Sequence, residues 1–144
     1  MKTSPALTKA ERELVAAARR ARTHAHAPYS GFRVGAALRT RDGRVFAGCN
    51  VENASLGAGI CAERGAVMQA VAAGMRPSQL AMVAIFTADP RLTPPCGMCL
   101  QVLVEFGIDA QVILAAPGKV RRTSLGALYP EPFTEIPAPP RRRR

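Results

Sequence analysis

Residues 59–65 read GICAERG, and residues 94–101 read PPCGMCLQ. Each cysteine group stands where a loop or strand hands over to a run with helical spacing. Between the two lies AMVAIFTA (81–88), a short apolar run that suits a buried strand. For Cys61, Cys96 and Cys99 to share one centre, the two helix starts must meet although a strand separates them in sequence. Strands alternating with helices give an α/β fold around one mixed sheet.

The rest of the chain agrees with that alternation. Spacing predicts a helix over 8–23, with Thr8 and Glu11 placed as a capping box. HAPYSGF then breaks the pattern with Pro28 and Gly31. A strand over 32–40, a turn at Arg41-Asp42-Gly43-Arg44 and a returning strand over 45–51 form a hairpin. A loop of small residues fills 52–60, and a helix covers 61–73, with Gly74 where a glycine cap belongs. After strand 81–88 and a loop over 90–95, a helix over 96–106 is closed by Gly107. A strand over 110–115, a short edge strand over 120–122 and a helical turn over 124–128 follow. One domain is expected over 1–136. Residues 137–144, with Pro137, Pro139, Pro140 and four arginines, are expected to be a disordered tail.

No apolar run approaches the roughly 20 residues of a membrane helix. The N-terminus MKTSPALTKAERE turns charged too soon for a secretory signal. A reducing cytoplasm is therefore the expected compartment, where four cysteines point to metal or catalysis rather than to disulfides. The formal charge of +10 attracts phosphates, although four of those charges are the terminal arginines. With no Trp, two Tyr and five Phe, the chain has no basic–aromatic stripe on which bases could stack. Nucleic acid is not the expected partner, and a basic nucleic-acid-binding zinc protein remains the non-enzymatic alternative.

Neither cysteine motif decides the matter alone, because C-x-E is common and C-x-x-C also serves redox or structural roles. Their positions add chemistry. A helix start offers unpaired N–H groups and positive potential, which stabilise thiolates. Cys96 and Cys99, three apart on a first turn, face one side and can chelate together. Zinc takes four ligands, so three from protein leave a place for water. Cys49, in GCNVEN, is the alternative fourth ligand of a closed structural site. Three thiolates around Zn²⁺ leave a net negative centre, and Arg64 is placed to compensate it unless it is simply solvated. Glu63 cannot easily ligate from the same turn as Cys61, but it can point past the metal and carry a proton in both directions. His24 and His26 read as surface residues.

These motifs resemble the cytidine deaminase family, in particular its small homotetrameric nucleoside enzymes. The wider superfamily carries H-x-E followed by P-C-x-x-C, and here Cys61 stands in the His position. PYSGFRVGAAL (28–38), GCNVENAS (48–55), CAERGA (61–66) and PCGMCLQVLVEFG (95–107) resemble family blocks in order and spacing, and the likeness reaches Phe133. The resemblance implies a three-layer α/β/α sandwich with a five-stranded mixed sheet. It implies one Zn²⁺ per chain on Cys61, Cys96 and Cys99, and proton transfer by Glu63 as water adds at C4 of cytosine and ammonia leaves. It further implies that Asn50 and Glu52 bind the ribose hydroxyls, Phe32 lines the pocket and the backbone at Ala62 reads the base edge. Phe133 would reach a neighbouring subunit's site, making the homotetramer part of the catalytic unit. The implied role is deamination of cytidine and 2′-deoxycytidine in pyrimidine salvage.

The chain departs from the resemblance at two positions. Leu100 stands where an arginine usually follows the last cysteine, and Leu56 where an aromatic is common. The reaction type survives both changes. A modified or N4-substituted cytidine, or a cytosine-nucleoside antibiotic, is the alternative substrate.

Overall fold

Thr8 starts the first helix, α1 (Lys9–Arg22), through a reciprocal cap. Its hydroxyl accepts from the Glu11 N–H at 3.2 Å, and its own N–H donates to Glu11 Oε2 at 2.7 Å. The computed structural model describes residues 6–136, so the expected tail at 137–144 lies outside the described residues. Leu14, Ala17 and Ala18 form the buried stripe of α1, at the spacing one helix face requires.

Five strands follow: β1 (Gly35–Thr40), β2 (Val45–Cys49), β3 (Leu80–Phe86), β4 (Gln111–Ala116) and β5 (Lys119–Ser124). They form a mixed sheet in the order β2-β1-β3-β4-β5, with β3 and β4 parallel and the other pairs antiparallel. The β1–β2 hairpin turns through Gly43 at φ 91°, a left-handed conformation that favours glycine. α2 (Ala62–Ala72) joins β2 to β3, and α3 (Gly97–Gly107) is the crossover that a parallel β3–β4 pair needs. A short helix, α4 (Leu125–Leu128), is capped by Ser124.

Strand alternation assigns the two cores. Leu38, Val83, Ile85, Val112 and Leu114 pack under α2, α3 and α4 together with Ala66, Leu103 and Leu125. Ala37, Ala84, Phe86, Ile113 and Ala115 face Leu14 and Ala18 of α1. The result is the expected three-layer α/β/α sandwich. Small residues set the spacing: a Cβ on Gly35 would lie 1.9 Å from the Ala18 carbonyl oxygen.

Most element boundaries shift by a residue or two from the sequence reading, and four differences bear on the argument. β1 begins at Gly35 rather than at 32, because residues 32–34 are tied to the Asn50 amide instead of to a neighbouring strand. Val51 leaves β2 and makes isolated bridges with His26 and Ile60. Gly107 does not close α3 but lies within it. A Cβ there would be 2.5 Å from the Leu80 carbonyl oxygen, so the glycine serves helix–strand contact. β5 extends over Lys119–Ser124, an edge strand whose lysine and arginines hide its pattern. No helix among the described residues is long and apolar enough to cross a membrane.

Candidate metal centre and adjoining cavity

The sheet brings the two cysteine motifs together from below. α2 rests directly on β2: a Cβ on Gly48 would lie 2.5 Å from both the Ala62 carbonyl oxygen and the Ala66 nitrogen. α2 and α3 lie side by side on the same face, each opened by a cysteine, Cys61 and Cys96, in extended conformation. Cys99 sits on the first turn of α3 and is fully buried. The three sulfurs lie within 4.8 Å of one another, and Cys61 Sγ is 3.9 Å from Cys96 Sγ. Tetrahedral zinc with Zn–S bonds of about 2.3 Å separates its sulfurs by about 3.8 Å, so the donor set fits. Cys49 is outside this cluster, as expected for a site with three protein ligands.

Electrostatics agree with that assignment. Burial pushes the Cys61 and Cys99 thiols up, and the Glu63 charge adds to the effect at both. At Cys96 burial is outweighed by hydrogen bonds from the Cys99 backbone and from the Cys99 and Cys61 side chains, which bring the thiol below its ordinary value. A dication among the three offsets the penalty, since a coordinating thiol is deprotonated outright. Arg64 Nη2 donates to the Gly59 carbonyl at 3.1 Å and lies 4.0 Å from Cys61 Sγ, while its buried Nε has no partner among the described residues. Glu63 is buried at 5% exposure, with Oε2 3.7 Å from Cys99 Sγ. Burial pushes its carboxyl up, against opposing contacts from its own backbone, Cys99 and Arg64.

A cavity of about 170 Å³ opens beside these groups, lined in part by Phe32, Asn50, Cys61, Ala62, Glu63 and Cys96. Hollows of about 420 and 460 Å³ flank α1, but neither holds three metal-ligating side chains, so chemistry rather than size selects the smaller one. Asn50 folds the wall: its Oδ1 accepts from Val34 N–H at 2.7 Å and its Nδ2 donates to the Phe32 carbonyl at 2.8 Å. Glu52 and Phe133 do not line the cavity. The Glu52 carboxylate accepts from the Tyr29 and Ser30 N–H groups at 2.8 and 3.2 Å and from the Ser30 hydroxyl. Phe133 is 62% exposed, with its carbonyl held by Gln101 Nε2 at 2.6 Å. Leu56 and Leu100 also stand away from the lining, and His24 and His26 are exposed as expected. Sequence reading missed Val34, Ile85, Thr93 and Pro94, which complete the wall. The last two stand three and two residues ahead of Cys96, and that nearness to the C-x-x-C motif is the one signal that could have found them.

A family profile for the cytidine and deoxycytidylate deaminase zinc-binding region matches residues 8–115. This chain belongs to that family. A probable cytidine deaminase of Dictyostelium discoideum is 43% identical over 120 residues, covering 83% of this chain and 80% of the relative. Cytidine deaminase of Halalkalibacterium halodurans is 41% identical over 123 residues, covering 84% and 92%. The crystal structure of cytidine deaminase from Burkholderia pseudomallei superposes with a TM-score of 0.83 at 49% identity, covering 88% of this chain and all of that one. Family membership and the three-cysteine donor set together make this a site for one zinc ion.

Proposed function

We propose that the chain is a zinc-dependent aminohydrolase converting cytidine and 2′-deoxycytidine to uridine and 2′-deoxyuridine. The observation that carries this is a buried carboxyl, Glu63, at the wall of a cavity that also exposes two members of a three-cysteine donor set. Cys61, Cys96 and Cys99 would hold the zinc. Zinc in such a site supplies Lewis acidity that makes a water nucleophilic near neutral pH.

The remaining work falls to the chain's own groups. Glu63, whose carboxyl is pushed up by burial, takes a proton at its side-chain oxygen as water adds at C4 of the base. It passes that proton to N3 of the ring and then carries the proton of the new C4 hydroxyl to the amino group, so that the C4–N bond breaks, ammonia leaves and the carbonyl of uracil forms. Arg64 offsets the negative charge of the thiolates. Phe32 and the backbone at Ala62 hold the base against the cavity wall, and Asn50 shapes the sugar end. Glu52 would bind ribose through the face of its carboxylate left beside the 29–30 loop. Exposed Phe133 would act in a neighbouring subunit of a homotetramer. Four free cysteines suit a reducing cytoplasm, where the reaction belongs to pyrimidine salvage.

Loss of cytidine's ultraviolet absorbance on adding zinc-loaded protein tests the reading. Glu63→Gln should retain zinc and lose at least about 10²-fold in kcat. Zinc-loaded wild type that leaves cytidine unchanged would overturn the assignment.

A further inference from the structure

The metal-site cavity has a neighbour. A second hollow of about 330 Å³ is lined by Phe32, Asp89, Arg91, Leu92, Thr93 and Pro94. The two share Phe32, Thr93 and Pro94, while no cysteine and no part of Glu63 lines the second. These three shared residues form the boundary between the two, and the Asn50 amide holds the Phe32 carbonyl there at 2.8 Å.

Thr93 carries the one hydroxyl among the side chains lining the first cavity. Its Oγ1 lies 3.3 Å from Thr87 Oγ1. Thr87, directly after β3, is 1% exposed, and its hydroxyl has no other partner among the described residues. A buried hydroxyl proton without an acceptor is unfavourable. Donation from Thr87 to Thr93 is the arrangement that satisfies it. Thr93 then accepts, and its own proton is free to turn into the cavity. Among the other lining side chains, Val34, Ile85, Phe32 and Pro94 have no polar side-chain atom, and the Asn50 amide, with one acceptor and one donor position used on the Val34 and Phe32 backbone, keeps one of each for a ring hydroxyl.

The deaminase reading fixes the orientation of the substrate, and the inference rests on that reading. C4 of the base must sit by Cys61, Cys96 and Glu63, and Asn50, assigned to the sugar, binds the carbonyl of Phe32 at the boundary of the two cavities, so the sugar lies toward that boundary. With the two ring hydroxyls assigned to Asn50 and Glu52, the 5′-hydroxymethyl is the polar group left to meet Thr93. We propose that Thr93, oriented by Thr87, donates a hydrogen bond to the 5′-oxygen of the nucleoside. The chain would then select nucleosides that keep an acceptor at that position, with the second hollow giving room beyond it.

Turnover of three substrates tests this: cytidine, 5′-deoxycytidine and 5′-O-methylcytidine. Wild type should lose about tenfold in kcat/KM on 5′-deoxycytidine, the worth of one hydrogen bond. It should stay within about threefold of its cytidine value on 5′-O-methylcytidine, which retains the acceptor. Thr93→Val should lose about tenfold on cytidine, mostly in KM, and be unchanged on 5′-deoxycytidine, with Thr93→Ser restoring the discrimination. Thr87→Val should give an intermediate ratio, an effect that loss of packing alone would not confine to one substrate. Equal wild-type rates on cytidine and 5′-deoxycytidine would overturn the proposal, and this needs no variant to fold. So would Thr93→Val slowing both substrates alike. A 5′-O-methylcytidine that behaves like 5′-deoxycytidine would overturn the donor direction, and a Thr87→Val ratio equal to wild type would overturn the orienting role. Wild type inactive on cytidine would instead sink the deaminase reading itself.

Discussion

Glu11 and Arg122, 111 residues apart, meet through two hydrogen bonds, Nε to Oε1 at 2.7 Å and Nη2 to Oε2 at 2.9 Å. The pair ties the first turn of α1 to the edge strand β5. The same carboxylate caps Thr8 and accepts from Gln111 Nε2 at 2.9 Å. The Arg122 guanidinium, opposed by burial and helped by Thr8 and Gln111, holds the Glu11 carboxyl down from 4.5 to about 2.

Acid should therefore act on this pair in a definite direction. A carboxyl whose folded value lies below its unfolded one binds fewer protons in the folded state. Its stabilisation is fully present above about pH 4.5 and is lost as pH falls through about 2. The Glu11 side chain is 4% exposed, and the shift corresponds to on the order of 3 kcal/mol. Urea unfolding of wild type and Glu11→Gln between pH 2 and 7 isolates the contribution. The gap should be largest near neutrality and close toward pH 2; a gap independent of pH would contradict the assignment.

At the metal centre, Arg64 should matter to zinc more than to the fold. Three thiolates around a dication leave one excess negative charge, and the Arg64 guanidinium lies 4.0 Å from Cys61 Sγ. Its buried Nε has no partner among the described residues, so what the side chain's removal breaks is the Nη2 bond to the Gly59 carbonyl and the contact with Cys61 Sγ. Arg64→Gln should weaken zinc binding by about 10–100-fold, read by chelator competition. The melting temperature of the zinc-free protein should move little. A large loss of apo stability with unchanged zinc affinity would reverse the roles.

Gly48 links packing to chemistry in a different way. Its missing side chain lets the first turn of α2, which carries Ala62 and Glu63, sit on β2. Gly48→Ala meets backbone rather than a flexible side chain, so the helix start must shift. Overpacking of this kind costs about 1–3 kcal/mol. Zinc affinity and kcat should fall together with stability, whereas Gly57→Ala, with nothing within 4 Å of its Cβ, should leave all three close to wild type.

The contrast between Gly48 and the cysteines shows what the sequence could reveal. Cys96 and Cys99 announce a chelate because three positions on a helix turn face one way, and Thr8 with Glu11 announces a helix start by the same local logic. α1, the hairpin and the buried strands were readable from spacing for that reason. Glu11's second role was not, because its partner Arg122 is set opposite it only by the β4–β5 register. Gly107 was misread for a related cause: a glycine at a helix end looks like a cap until the Leu80 carbonyl is placed against it. Asn50 and Glu52 read as sugar ligands, yet both side chains also bind the 29–34 backbone, a competition that only tertiary structure displays.

Phe133 allows the proposed assembly to be tested through its chemistry. The ring lies outside the cavity of its own chain, and its backbone is fixed by Gln101, whose Oε1 in turn accepts from the Tyr129 hydroxyl at 3.0 Å. A side chain held at the surface in this way serves a site only if that site belongs to another subunit. Phe133→Ala should raise KM for cytidine several-fold to tenfold with a smaller change in kcat, since stacking on a base is worth about 1–3 kcal/mol. Glu63→Gln should abolish turnover while keeping its own Phe133. Co-expressed, the two chains would form mixed tetramers in which every intact Glu63 belongs to a Phe133→Ala subunit. Some of those sites would receive Phe133 from a Glu63→Gln neighbour, and a component with wild-type KM should appear that neither variant shows alone. If mixing yields only the high-KM form, Phe133 acts within its own chain or not at all.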